Sequence, residues 1–110
     1  QLKVNLPQDY REFLMFSNGY EGYINDFYVI LSPIENLYQD TLNNLRGDFS
    51  WGVYIGSNGN LEMFIIDTRA NPFQFGLLPY IGLEDDFIPL GDTFEKFISR
   101  LFDGTAFDTK

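Results

Sequence analysis

Three adjacent carboxylates at Glu84-Asp85-Asp86 form the densest group of potential ligands in the chain, and such acids bind Ca²⁺ or meet a cationic partner. The spaced ligands and central glycine of a helix-loop-helix calcium site are missing around them, so a solvated loop is the expected setting. Sixteen acids leave room for the paired carboxylates of a glycosidase, but no motif places two of them across a cleft at the required separation. Gly56-Ser57-Asn58-Gly59-Asn60 offers backbone amides, yet it fits neither the dinucleotide nor the P-loop pattern and no helix follows it. Trp51, Tyr54, Phe73, Phe75 and Tyr80 have the ring area to stack bases or sugars, although alternation through Trp51, Val53 and Ile55 is that of a half-buried strand. Tyr20 and Tyr23, beside the glycines that end the first apolar segment, are candidate interface anchors.

Histidine and cysteine are both absent. That removes Ser-His-Asp and Cys-His nucleophiles, thiolate redox chemistry, and zinc sites built from imidazole or sulfur. The absence of a disulfide framework fits a reducing cytoplasm. The net charge of −9 arises from sixteen acids against seven scattered bases, which promises no basic stripe for nucleic acid. A basic protein partner would instead be steered in by a field of this sign. No segment approaches the ~20 apolar residues that a membrane helix needs, and Gln1 to Leu6 contains no signal-peptide core. Neither a metal nor a cofactor is expected.

The elements that must carry these groups follow from periodicity. Pro7 suits a first helical turn, Asp9 and Glu12 favour its positive end, and Tyr10, Phe13 and Leu14 repeat on one face until Asn18-Gly19. Tyr23 to Leu31 is extended, broken at Asn25-Asp26. Ser32-Pro33-Ile34-Glu35 reads as a capping box, opening a helix that buries Ile34, Leu37, Tyr38, Thr41, Leu42 and Leu45 and stops by Gly47. Trp51 to Ile55 and Leu61 to Asp67 form a hairpin across an Asn-Gly turn. A turn at Arg69 to Pro72, a strand from Phe73 to Leu78 ended by Pro79, and a short extended piece from Phe87 to Leu90 come next. Asp92-Thr93-Phe94-Glu95 is a second capping box, and the last helix buries Phe94, Phe97, Ile98, Leu101 and Phe102 up to Gly104. Strands run together between helices predict an α+β fold, an antiparallel sheet of four to six strands with helices packed on it. At 110 residues and 18% aromatic content, one domain spanning residues 1–110 with a Phe- and Tyr-rich core is expected.

Leu6-Pro7, Asp9, Tyr10, Phe13-Leu14 and Asn18-Gly19 resemble the signature of the SUKH superfamily, which contains fungal Smi/Knr cell-wall regulators and bacterial toxin-immunity proteins. Ile55 to Asn60 leading into Met63 to Asp67, and Asp92 to Ile98, match further blocks in the same order. Asn60 stands where the family more often has glycine, and the helix that usually precedes Leu-Pro is absent or cut short. The resemblance implies a non-enzymatic immunity protein that neutralises a toxin domain, and the acidic charge suits a basic one, as many nuclease toxins are. A Smi/Knr-type regulatory scaffold and, further off, a carboxylate-dependent hydrolase are the alternatives. No catalytic residue is assigned, and Glu21, Asp26, Glu62, Tyr80, Glu84, Asp85 and Asp86 form the expected exposed contact set.

Overall fold

The apolar face of the opening segment becomes helix α1 (Gln8–Phe16), with Tyr10 and Leu14 buried one turn apart. In the computed structural model the described residues are 6–24, 27–45, 51–59, 62–80 and 86–103. Pro7 occupies the N-cap position with extended backbone, and its carbonyl accepts the Arg11 N–H at 3.0 Å. The chain leaves the helix at Ser17 and turns at Gly19, whose φ of +97° only glycine adopts without strain.

Six antiparallel strands follow in sequential order: β1 (Tyr20–Ile24), β2 (Phe27–Leu31), β3 (Gly52–Ser57), β4 (Glu62–Asp67), β5 (Gln74–Pro79) and β6 (Ile88–Gly91). This is the α+β architecture the sequence predicts. The first extended segment is a hairpin that begins at Tyr20, with Ile24 opposite Phe27; its Asn25-Asp26 connection lies outside the described residues. Two backbones approach too closely for any side chain: a Cβ on Gly56 would stand 2.0 Å from the Ile30 carbonyl oxygen, and one on Gly76 2.2 Å from that of Ile88.

β2 and β3 pair only at Ile30–Ser57 and Leu31–Gly56, after which the chain departs through a single 3₁₀ turn (Ile34–Asn36) into helix α2 (Leu37–Asn44). Thr41 Oγ1 accepts the Tyr54 N–H at 3.0 Å, so α2 supplies the acceptor that a longer β2 would have given. Straddling this edge, α2 sends Leu37 into the core on one sheet face, while Leu45, directly after it, enters the core on the other.

Burial on both faces corrects the half-buried pattern read from β3, which, like β4, is buried at every position. One face packs Val53, Ile55, Phe64, Ile66, Phe75 and Leu77 against α1 and helix α3 (Phe94–Asp103). The other gathers Tyr54, Met63, Ile65 and Leu78 with Leu45, Trp51 and Phe87. Aromatic rings dominate the first core as expected: Tyr10 meets Phe94 at 5.2 Å and Phe75 edge-on at 5.9 Å, and Phe97 meets Phe64 at 5.3 Å. The Tyr10 hydroxyl has no hydrogen-bond partner among the described residues, and burial pushes its pKa upward, so it stays a neutral phenol.

The last helix is capped differently from the predicted box. Thr93, not Asp92, is the side-chain cap, its Oγ1 accepting the Lys96 N–H at 3.1 Å. Asp9 of α1 reaches across, accepting the Phe94 N–H at 3.1 Å and the Glu95 N–H at 2.9 Å. Asp92 pairs with Lys96 at 2.8 Å instead.

Asp9→Ala should therefore lower stability by about 1–2 kcal/mol, as loss of a helix cap does, whereas Glu12→Ala on the exposed side of the same helix should change it by less than about 0.5 kcal/mol. Equal effects in urea denaturation would mean that the inter-helix cap contributes nothing. Tyr10→Phe removes a buried hydroxyl without a partner and should hold or raise stability by about 1 kcal/mol. A marked loss would show that the hydroxyl is satisfied in solution.

Candidate partner-binding surface

The predicted contact residues that the structure describes, Glu21, Glu62, Tyr80 and Asp86, sit on separate elements. Glu21 is exposed on the edge strand β1, its carboxylate accepting the Tyr28 hydroxyl across the hairpin. Tyr80, 41% exposed, follows β5, and Asp86 is exposed just before β6. Asp26, Glu84 and Asp85 lie outside the described residues. Glu62 requires correction: it is only 7% exposed. Asn58 Nδ2 donates to Glu62 Oε1 at 3.2 Å and the Glu62 N–H donates to Asn58 Oδ1 at 3.2 Å, closing the β3–β4 connection.

Glu21 and Tyr80 are nonetheless linked through a cleft that the sequence reading missed. A hollow of about 510 Å³ opens between the β1–β2 hairpin and α2, lined by Glu21, Ser32, Asp40, Tyr54 and Ser57 among others. Tyr80 adjoins it, its hydroxyl 3.2 Å from that of Tyr54. Ser32 Oγ donates to Asp40 Oδ2 at 2.7 Å. Desolvation, helped by the Tyr80 hydrogen bond and the Asp40 charge, pushes the Tyr54 phenol above its ordinary range, so it remains protonated at neutral pH.

The serine in this cleft does not make the predicted capping box. Its N–H bonds the Ile55 carbonyl at 2.9 Å and its hydroxyl serves Asp40, while Pro33 holds the position before the 3₁₀ turn. Glu35 turns instead to Asn18, whose Nδ2 donates to Glu35 Oε1 at 2.7 Å and whose Oδ1 accepts the Ile34 N–H at 2.7 Å. A Cβ on Gly19 would stand 3.1 Å from the Leu31 carbonyl oxygen and 3.2 Å from Pro33 N. Asn18-Gly19 thus bolts the end of α1 to the β2–α2 junction, a role beyond ending a helix.

Next to this bolt lies an apolar shoulder. Met15 and Phe16 are 87% and 91% exposed at the end of α1, and Met15 shares a hollow of about 430 Å³ with Leu14, Arg11, Asn18 and Ile34. Ile34, Tyr38 and Leu42, spaced by one turn, are 54%, 42% and 42% exposed, contrary to the expected burial. The adjacent stripe, Leu37, Thr41 and Leu45, faces the sheet. Both stripes are rich in apolar residues, so periodicity alone could not say which of them turns inward. Tyr20 and Tyr23 are exposed, at 40% and 69%.

Most of the rings that could have stacked bases or sugars serve the core instead, as the strand alternation implies. Phe75 and Tyr54 are core residues, and the Trp51 ring is covered by the Arg69 guanidinium at 3.8 Å, itself paired with Asp67 at 3.0 Å. Among the described residues no group of three or more acids could hold a metal ion, and no helix is long and apolar enough to cross a membrane.

A family model described as SMI1 / KNR4 family (SUKH-1) matches residues 1–100. No curated protein and no solved structure gives a significant match.

The Asn18 bond holds the Glu35 carboxyl below its ordinary pKa of 4.5. A lowered folded-state pKa contributes stability above the unfolded value, and that contribution is lost as pH falls through the folded value. Asn18→Ala should return the Glu35 titration toward 4.5, followed by NMR of its side-chain carboxyl, and should remove about 1 kcal/mol of stability with the lost cap. An unmoved titration would mean that the bond does not persist in solution.

Proposed function

Because the chain belongs to the SMI1/KNR4 family (SUKH-1), we propose that it is a non-enzymatic immunity-type protein of the cytoplasm that binds and neutralises a basic toxin domain. The observation that carries this reading is the apolar shoulder formed by Met15, Ile34, Tyr38 and Leu42 beside a cleft lined by Glu21 and Asp40. Large apolar side chains exposed together mark protein-interaction surfaces, and tyrosine is favoured at their energetic centres. The acids beside them suit a cationic partner, and a chain of net charge −9 would steer one in. Nuclease domains, which must hold phosphate backbones, are basic in this way. An interface of about 1,600 Å² would be enough for tight inhibition by occlusion, with no bond made or broken.

Where the gene immediately upstream encodes a C-terminal domain that arrests growth, co-production of this protein should restore growth. The Tyr38→Ala, Leu42→Ala double variant should weaken that complex more than tenfold while the protein stays folded, because both side chains are partly exposed and lose only part of a full burial contribution. Raising salt from about 0.05 to 0.5 M should slow association at least tenfold. Full rescue and unaltered affinity in the double variant would place the interface elsewhere, and association indifferent to salt would remove the electrostatic part.

A further inference from the structure

We infer that the cleft between the β1–β2 hairpin and α2 is a receptor for a single arginine side chain presented by the partner. The inference rests on the protein-binding reading above and deepens it by naming the anchor.

The lining is one-sided in charge. Glu21 and Asp40 contribute carboxylates, and among the described residues neither lysine nor arginine lines the cleft. Asp40 is half-buried, its Oδ2 fixed by the Ser32 hydroxyl at 2.7 Å, and no cation among the described residues pairs with it. Ser32, Ser57 and Tyr54 are 7%, 5% and 8% exposed, so the hydroxyls lining the cleft are held by the fold before any ligand arrives. Tyr54 gains no negative charge of its own at neutral pH, because burial keeps its phenol protonated.

These features select among ligands. An anion would face two carboxylates without a counter-charge. A calcium ion needs six to eight oxygens, more than two separated carboxylates and a few hydroxyls offer. Lysine would present a compact, strongly hydrated ammonium to a cleft far larger than it needs. A guanidinium is planar and weakly hydrated, and it spreads five donors across several acceptors while its face rests on an aromatic ring. Asp40 and Glu21 supply the acceptors, and Tyr20 and Tyr54 line the same hollow. The adjoining shoulder of Met15, Ile34 and Tyr38 would receive the apolar residues flanking that arginine.

The test needs no toxin. N-acetyl-arginine amide, titrated into the intact protein and followed by ¹H–¹⁵N NMR, should bind saturably in the millimolar range, at about 1–10 mM. Shifts should be confined to the amides of the cleft, including Ser32, Asn36 and Ser57. N-acetyl-citrulline amide, which has the shape without the charge, and N-acetyl-lysine amide should each bind at least tenfold more weakly. Asp40→Asn, which keeps an acceptor for Ser32, should weaken arginine binding at least tenfold. Glu21→Gln, at the exposed rim where folding is not at stake, should weaken it severalfold. Equal binding of citrulline or lysine, shifts outside the cleft, no response up to about 50 mM, or indifference to both substitutions would each overturn the slot. Loss of the slot with toxin rescue intact would leave the immunity reading standing. Arginine binding without rescue would overturn the immunity reading alone.

Discussion

The carboxylate of Asp9 holds together the two helices on which the larger core depends. It stands in the first turn of α1, yet its oxygens accept the amides of Phe94 and Glu95, more than eighty residues later in the chain. Those amides have no partner within their own helix, and a charged acceptor at that end is favoured by the helix dipole. Fixing the start of α3 against α1 sets Phe94 between Tyr10 and Phe75 and brings Phe97 onto Phe64. Each such ring contributes roughly 1.5–3 kcal/mol by burial, more than the cap itself. The cap matters because it specifies which packing of the rings is reached.

With α1 anchored at its start by α3 and at its end by Asn18, the remaining surface of the helix is left to solvent. Met15 and Phe16 project beyond the last covered turn, and the 3₁₀ turn bolted by Asn18 sets the phase of α2 so that Leu37 points inward and Tyr38 outward. The same contacts that complete the fold therefore create its exposed apolar shoulder. An Asn-Gly pair recognisable in the sequence as part of a family signature acts through architecture: it fixes the angle between α1 and the β2–α2 junction, along which the cleft opens.

Local rules made α1, the β3–β4 hairpin and α3 legible, because each is specified by signals within a few residues: Pro7, Asn58-Gly59, and the Phe94–Phe97–Leu101 spacing. The SUKH resemblance was legible for the same reason. What the sequence concealed was long-range. Ser32 and Glu35 have the spacing of a capping box, but the Ile55 carbonyl and the Asn18 amide, distant in sequence, compete for the same groups and win. Glu62 has the character of a surface acid until Asn58 folds back on it. Trp51, Val53 and Ile55 alternate as a half-buried strand would, yet Tyr54 between them also enters a core, because Leu45 arrives from α2 on the other face. The cleft was invisible for a further reason: its lining is assembled from the Asn18-Gly19 turn, β1, β2, the 3₁₀ turn, α2 and β3, and no local pattern says that these segments meet.

The distribution of charge decides where a partner's field is felt. Arg69 is drawn to Asp67 and the Trp51 ring, and Lys96 to Asp92, so these bases are compensated around β4 and α3. Among the described residues, the cleft carboxylates are met by hydroxyls. Hydroxyl hydrogen bonds orient a carboxylate but leave its charge in place, and two such charges sharing one hollow repel. The repulsion is small in water, of order 1 kcal/mol at close range and less with salt, so the fold tolerates it. A cation entering the cleft relieves that repulsion while water is displaced and the local dielectric falls. The attraction therefore grows as the complex closes, which favours a seated partner over a loose encounter and makes dissociation, more than association, the step at which one partner is told from another.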